Sequence, residues 1–141
     1  MFDRPYAAYQ PGERWESRGR TITEADLVLF AAFSGDWYPL HTDREWAARG
    51  PFGQRIAHGM LVLSIATGLM VFQPGVVLAF YGMDQVRFVA PTFIGDTLRV
   101  SLTVTGVQEK SNGGVVTSAM TVKKQSDQPV AVADIKVLVA K

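Results

Sequence analysis

The sequence predicts an α+β fold in which an antiparallel sheet holds one buried helix against its face. Three observations predict it. The helical patterns fall in the first half of the chain, and the second half reads as strands. The helix beginning near His58 is apolar almost all round, and such a helix is normally covered on every side. The stretch DTLRVSLTVTGV alternates strictly, with Leu98, Val100, Leu102 and Val104 set against Arg99, Ser101, Thr103 and Thr105. That is the period of a half-buried strand.

The elements follow in order. The first 20 residues are rich in Pro, Gly and charge and are expected to wrap the surface, with a short strand around Arg14 to Arg18. TITEADLVLFAAFSG predicts a helix capped by Thr23, with Asp26 three residues on and Ile22 and Leu27 at the staple positions. Leu27, Phe30 and Ala31 share its inner face, and Gly35 supplies the stop. Residues 36–57 are mixed. Pro39 and Pro51 interrupt regular structure and push Tyr38 and Gly50 towards extended backbone, with a helical turn expected from Asp43 to Arg49. The apolar helix is expected from His58 to about Phe72. After Pro74-Gly75, VVLAFYG and DQVRFVA read as two short strands. The alternating strand then meets a hairpin at Asn112-Gly113-Gly114, followed by VVTSAMTVKK. Ser126-Asp127-Gln128-Pro129 turns the chain into VAVADIKVLVA, which makes at least five strands.

Composition narrows the function classes. The 141 residues show no repeat, low-complexity stretch or linker, so one domain over 1–141 is expected. The chain is 48% apolar and 19% charged, as in globular proteins. With 14 Lys+Arg against 13 Asp+Glu the net charge is +1, which argues for no nucleic-acid face. Zero cysteines exclude disulfides, thiolate metal sites and cysteine nucleophiles. No basic segment followed by an apolar stretch opens the chain, and the longest apolar run is shorter than the ~20 residues of a membrane span. A cytoplasmic location, away from membranes, is expected.

Chemistry concentrates in two places. SGDWYPLHTD sets Asp36 and His41 five residues apart. The residues alone leave two readings open. Asp36 can close the turn after the first helix while His41 sits in a solvated loop. Alternatively, the two side chains converge for general acid–base work. In QRIAHGMLVLS, His58 and Gly59 stand where the apolar helix begins. Free N–H groups there suit negative charge, and Gly lets a ligand approach the backbone. The pair reads either as an oxyanion site or as a plain helix start. Ser64 and Thr67 read as hydroxyls bonded to their own backbone or as groups that orient a carboxylate. Two histidines 17 residues apart without cysteines form no recognisable zinc site, so no metal is expected.

GRTITEADLVLFAAFSGDWYPLHTD, IAHGMLVLSIATGLM and VRFVAPTFIGDTLRV together resemble the MaoC-like, or (R)-specific enoyl-CoA hydratase, family, over about Gly19 to Val104. The likeness rests on a helix, an S-G-D-x-N-P-[LIV]-H motif and an H-G-M opening the central helix. It implies a hot-dog fold, an antiparallel sheet wrapped around that helix. It also implies a homodimer with active sites at the interface, acting on acyl-CoA thioesters without a cofactor. The implied reaction interconverts a trans-2-enoyl-CoA and an (R)-3-hydroxyacyl-CoA. Asp36 and His41 match the catalytic pair, Gly59 matches the glycine whose N–H holds the thioester oxygen, and Thr67 falls where a serine commonly supports the Asp. Tyr38 replaces the family's usual Asn, which puts acyl-chain fit in question. The competing readings are a hot-dog acyl-CoA thioesterase and a non-catalytic acyl-CoA binder.

Overall fold

The computed structural model describes residues 1–141. Six strands form an antiparallel sheet: β1 (Arg14–Glu16), β2 (Arg20–Thr21), β3 (Val77–Phe88), β4 (Thr97–Lys110), β5 (Gly113–Lys123) and β6 (Pro129–Val139). Their order is β1-β4-β5-β6-β3, with β2 also pairing to β4. The helices are α1 (Glu24–Ser34), α2 (Pro39–Thr42), α3 (Arg44–Ala48) and α4 (Gly59–Leu69). The sheet carries α4 on its inner face, the hot-dog arrangement. No helix is long and apolar enough to cross a membrane.

Alternation in the sequence becomes burial in the sheet. Leu98, Val100, Leu102 and Val104 are all buried, and they join Val116, Met120, Val122, Ile135 and Val137 from the next two strands. Leu61, Val62, Ile65, Ala66 and Leu69 of α4 belong to the same cluster. Each of these side chains larger than alanine contributes about 1.5–3 kcal/mol on leaving water. The expected cover on every side of α4 is incomplete: Met60, Ser64 and Gly68, one turn apart, form an exposed stripe. At α1 the capping box is present. Thr23 Oγ1 accepts from Asp26 N and Asp26 Oδ2 accepts from Thr23 N, and Gly35 ends the helix at φ 77°.

Three boundaries differ from the sequence pattern, each for a tertiary reason. The apolar helix stops at Leu69 rather than near Phe72, because Phe2 claims the next residues. Phe2 N donates to Val71 O and Gln73 N donates to Phe2 O, both at 2.9 Å, while the buried Phe2 ring stacks on Phe72. The two short strands after Pro74-Gly75 are one strand, β3, whose breaks in pattern are register shifts against β6 rather than turns. The hairpin turns at Ser111-Asn112, with Lys110 paired to Gly113. Gly113 and Gly114 serve packing instead, since a Cβ at Gly114 would overlap the Tyr6 ring and one at Gly113 the Val139 carbonyl.

Candidate active site

Local chain geometry builds the site. After Gly35 turns the backbone, Asp36 Oδ1 accepts from Tyr38 N at 3.2 Å, and Asp36 N donates to Ser34 Oγ. Asp36 therefore does close the turn, yet it stays exposed and lines a cavity. Pro39 does not break regular structure as the sequence suggests. It opens α2 at the first helical position, where its missing N–H costs nothing. This single turn carries His41 inward, and α3 follows from an Asp43 cap. His41 Nδ1 lies 2.8 Å from the Ile56 carbonyl. A carbonyl only accepts, so Nδ1 carries the hydrogen and Nε2 of the neutral ring keeps its lone pair.

His58 and Gly59 close the other side. The His58 ring stacks on His41, with centroids 3.9 Å apart and planes 27° from parallel. Its Nε2 donates to the Asp36 carbonyl at 3.0 Å, while Nδ1 is buried without a partner. Burial holds its pKa below the ordinary histidine value. No backbone carbonyl accepts from the N–H of Gly59, Met60 or Leu61. The positive end of α4 therefore opens with free donors. The Phe88 ring lies against Gly59, where an added Cβ would stand 2.6 Å from Cζ.

These groups converge on a largely apolar cavity of about 410 Å³, whose wall includes Phe30, Val62, Phe88 and Val130. One donor atom each from Asp36, His41 and His58 lies within 4.8 Å of the others. That spacing would admit a cation, but the stacked rings hold their lone pairs in separate, near-parallel planes, and His58 Nε2 is already engaged by the Asp36 carbonyl. The arrangement suits proton transfer: a carboxylate and an imidazole lone pair beside free N–H donors in an apolar wall.

The structure does not bring every sequence candidate here. Ser64 Oγ donates to Met60 O and Thr67 Oγ1 donates to Ser64 O, both at 2.8 Å, and neither residue lines the cavity. Thr67 stands eight residues along the helix from Gly59, about 12 Å away, and its hydroxyl bonds to carbonyls of its own helix. Tyr38 is half-exposed and borders the site from outside, its ring edge-on to His41 and to Trp46. His58, placed by the sequence among the substrate-contacting groups, does line the cavity but is only 2% exposed. Sequence reasoning missed Phe88, which carried no signal beyond an apolar strand position. It also missed the carbonyl of Ile56, which no side-chain pattern could reveal.

The wall is anchored from behind. Ala57 N donates to Thr92 O at 2.7 Å, in the connection between β3 and β4. That connection ends on Asp96, which is nearly buried. Asp96 accepts from Phe93 N, Gln125 Nε2 and Lys124 Nζ, the last at 2.8 Å. Burial alone would raise its pKa, but these donors outweigh burial and hold it below the usual carboxylate value.

A family model for the MaoC like domain matches residues 7–126. The chain belongs to the MaoC-like domain family. This MaoC-like chain is 44% identical over 104 residues to Protein MaoC of Klebsiella aerogenes, a match covering 72% of this chain but only 31% of that one. It is 41% identical over 120 residues to 3-hydroxyacyl-thioester dehydratase Z of Mycobacterium tuberculosis, covering 81% of this chain and 80% of that one. Among solved structures, the monoamine oxidase regulatory protein from Archaeoglobus fulgius superposes with a TM-score of 0.92 at 40% identity, over 99% of this chain and 95% of that one. The MaoC-like family is one of hydratases and dehydratases, which are hydro-lyases.

Proposed function

We propose that the protein adds water reversibly to a trans-2-enoyl-CoA, giving an (R)-3-hydroxyacyl-CoA, with Asp36 and His41 as its acid–base pair. The observation that carries this reading is their convergence, in one cavity, with the free N-terminus of α4. The thioester oxygen accepts from Gly59 N–H. One water sits between the Asp36 carboxylate and His41 Nε2. As its oxygen bonds to the β-carbon, the pair takes its proton and delivers one to the α-carbon. Negative charge passes through the thioester oxygen, where the Gly59 N–H and the helix dipole stabilise it. The step is redox-neutral and balances with water alone.

The proposed partner is a second copy of this chain, paired at the open edge of β3. That strand bonds only to β6, and Leu78, Phe80, Tyr81, Phe88 and Val89 are exposed along and just beyond it. An uncovered apolar strand edge is a template for association. Sedimentation at micromolar concentration should give twice the 15.5 kDa chain mass, and a monomer would refute the pairing.

The test of function is a panel of enoyl-CoAs from crotonyl-CoA to trans-2-decenoyl-CoA. Loss of the conjugated-thioester absorbance, with (R)-3-hydroxyacyl-CoA as product, supports the reading. Release of free CoA thiol would replace it with thioester hydrolysis, and tight binding without turnover would make the protein an acyl-CoA binder.

A further inference from the structure

His58 touches both members of the acid–base pair and is itself a nearly buried part of the cavity wall. Its Nε2 is engaged by the Asp36 carbonyl, its Nδ1 is buried, and one ring face lies against His41. On another side the Phe30 ring stands 4.9 Å away, tilted by 55°. We propose that His58 is a positioning residue, a neutral imidazole that fixes the Asp36 backbone through Nε2–H and the His41 ring through its own face. The inference deepens the hydratase reading and rests on it for the roles of Asp36 and His41.

The proton state follows from geometry. The Asp36 carbonyl can only accept, so Nε2 carries the hydrogen. A second proton on Nδ1 would be a buried donor with no acceptor, beside a His41 ring that itself takes up a proton during turnover. The titratable groups facing His58 are Asp36 and His41 alone; Phe30 and Thr92 are neutral. Burial depresses the pKa in the same direction. Two simpler side chains separate the two tasks. Phenylalanine would keep the stacked face and fill the space without donating. Glutamine would place an amide donor near the Nε2 position without a ring. Only imidazole supplies both, which gives the unpartnered Nδ1 a reason beyond packing.

Imidazole ¹⁵N spectra are simple here, because the chain has two histidines. At neutral pH His58 should show a hydrogen on Nε2 and a bare Nδ1, and it should keep that state to lower pH than an ordinary histidine does. Neutral His41 should show the opposite tautomer. A hydrogen on Nδ1 of His58, or titration in step with His41, would overturn the proposal. With crotonyl-CoA as probe, His58→Phe should lose kcat on the order of 10²-fold, the scale of a misplaced reacting group, with KM little changed. His58→Gln should lose less, because it keeps the donor. Wild-type kcat in His58→Phe would refute positioning. So would equal kcat losses in both variants that track equal losses of melting temperature. If His58→Phe does not fold, the tautomers of the wild-type protein decide. If the wild type hydrates no enoyl-CoA, the hydratase reading fails by itself, and the spectra still report whether His58 is the neutral Nε2–H imidazole that holds the Asp36 backbone.

Discussion

Two polar clusters stand on either side of Ala57, and they are finished differently. Around Asp96, three donors meet one nearly buried carboxylate, and both of its oxygens are used. Around His58, a buried ring nitrogen has no partner, three helix N–H groups have no backbone acceptor, and Asp36 remains exposed. The hydrogen bond from Ala57 N to Thr92 O ties one cluster to the other. A saturated buried network rigidifies what it touches, whereas unsatisfied groups beside a cavity are available to a ligand. The difference assigns anchoring to the first cluster and chemistry to the second. It also predicts that mutations will separate stability from turnover along the same line.

The largest effect is expected on the open side. Asp36→Asn and His41→Ala should each lower kcat by roughly 10²–10⁴-fold, the usual contribution of a positioned acid or base. Melting temperatures should move little, since Asp36 is exposed and His41 is only half-buried. The double variant should lose scarcely more than either single one, because groups acting as a unit are not additive. Multiplying losses in the double variant would show two independent contributions, and wild-type turnover in His41→Ala would remove the mechanism.

The closed side should answer in stability. Lys124→Ala leaves the Asp96 charge nearly buried without its cation, and breaking a pair of this kind costs about 3–5 kcal/mol. The Lys124 and Asp96 side chains are 8% and 11% exposed, so little solvent screening offsets that loss. Urea unfolding measures it, and turnover per folded molecule should stay within a small factor of wild type. A stable Lys124→Ala protein with crippled kcat would erase the division of labour between the clusters.

How much of this was legible in the sequence differs between the two clusters as well. Local rules were enough for the Thr23–Asp26 cap, the Gly35 stop and the alternation of β4, because neighbours in the chain settle them. The motif S-G-D-x-x-P-x-H and the H-G pair marked Asp36, His41, His58 and Gly59, which the fold does gather around one cavity. Their convergence needed α2, and Pro39 read as a breaker hid that turn. The stacking of His58 on His41 and the Asp96–Lys124 pair join residues 17 and 28 positions apart. No periodicity encodes such contacts. The end of α4 escapes local rules for the same reason, since Phe2, far away in sequence, decides it.

Gly59 sharpens the comparison at the seam between the two sides. Its φ is not in the left-handed region, so alanine is acceptable to the backbone, and the N–H donor survives the change. The obstacle is Phe88, whose ring an added Cβ would meet at 2.6–2.9 Å. Overpacking of this kind costs about 1–3 kcal/mol, and the half-exposed ring can relieve it by swinging into the cavity. Gly59→Ala should therefore fold but raise KM and lower kcat. Adding Phe88→Ala should return activity to that of Phe88→Ala alone. Failure of that rescue would mean that Gly59 is needed for something other than room.

The smallest effect concerns pH and the buried His58 ring. Its pKa is lowered in the fold by burial, whereas in the unfolded chain it titrates near the ordinary value of about 6.5. Above that value both states are neutral at this position, and His58 makes stability no different. Below it the unfolded ring binds a proton that the folded ring refuses, so the unfolded state is favoured and stability declines as the pH falls. The decline should continue until the folded value is reached. Asp96 and Asp26 also have lowered pKa values, but carboxylates of that kind lose stability at more acidic pH and do not crowd this window. His58→Phe removes the titrating group, so its urea midpoint should change less than that of the wild type between about pH 7 and about pH 5. The difference between the two curves isolates His58 from every group they share. A wild type that instead gains stability towards acid, relative to His58→Phe, would mean that the folded ring welcomes the proton, and that the open cluster is not held around a neutral imidazole.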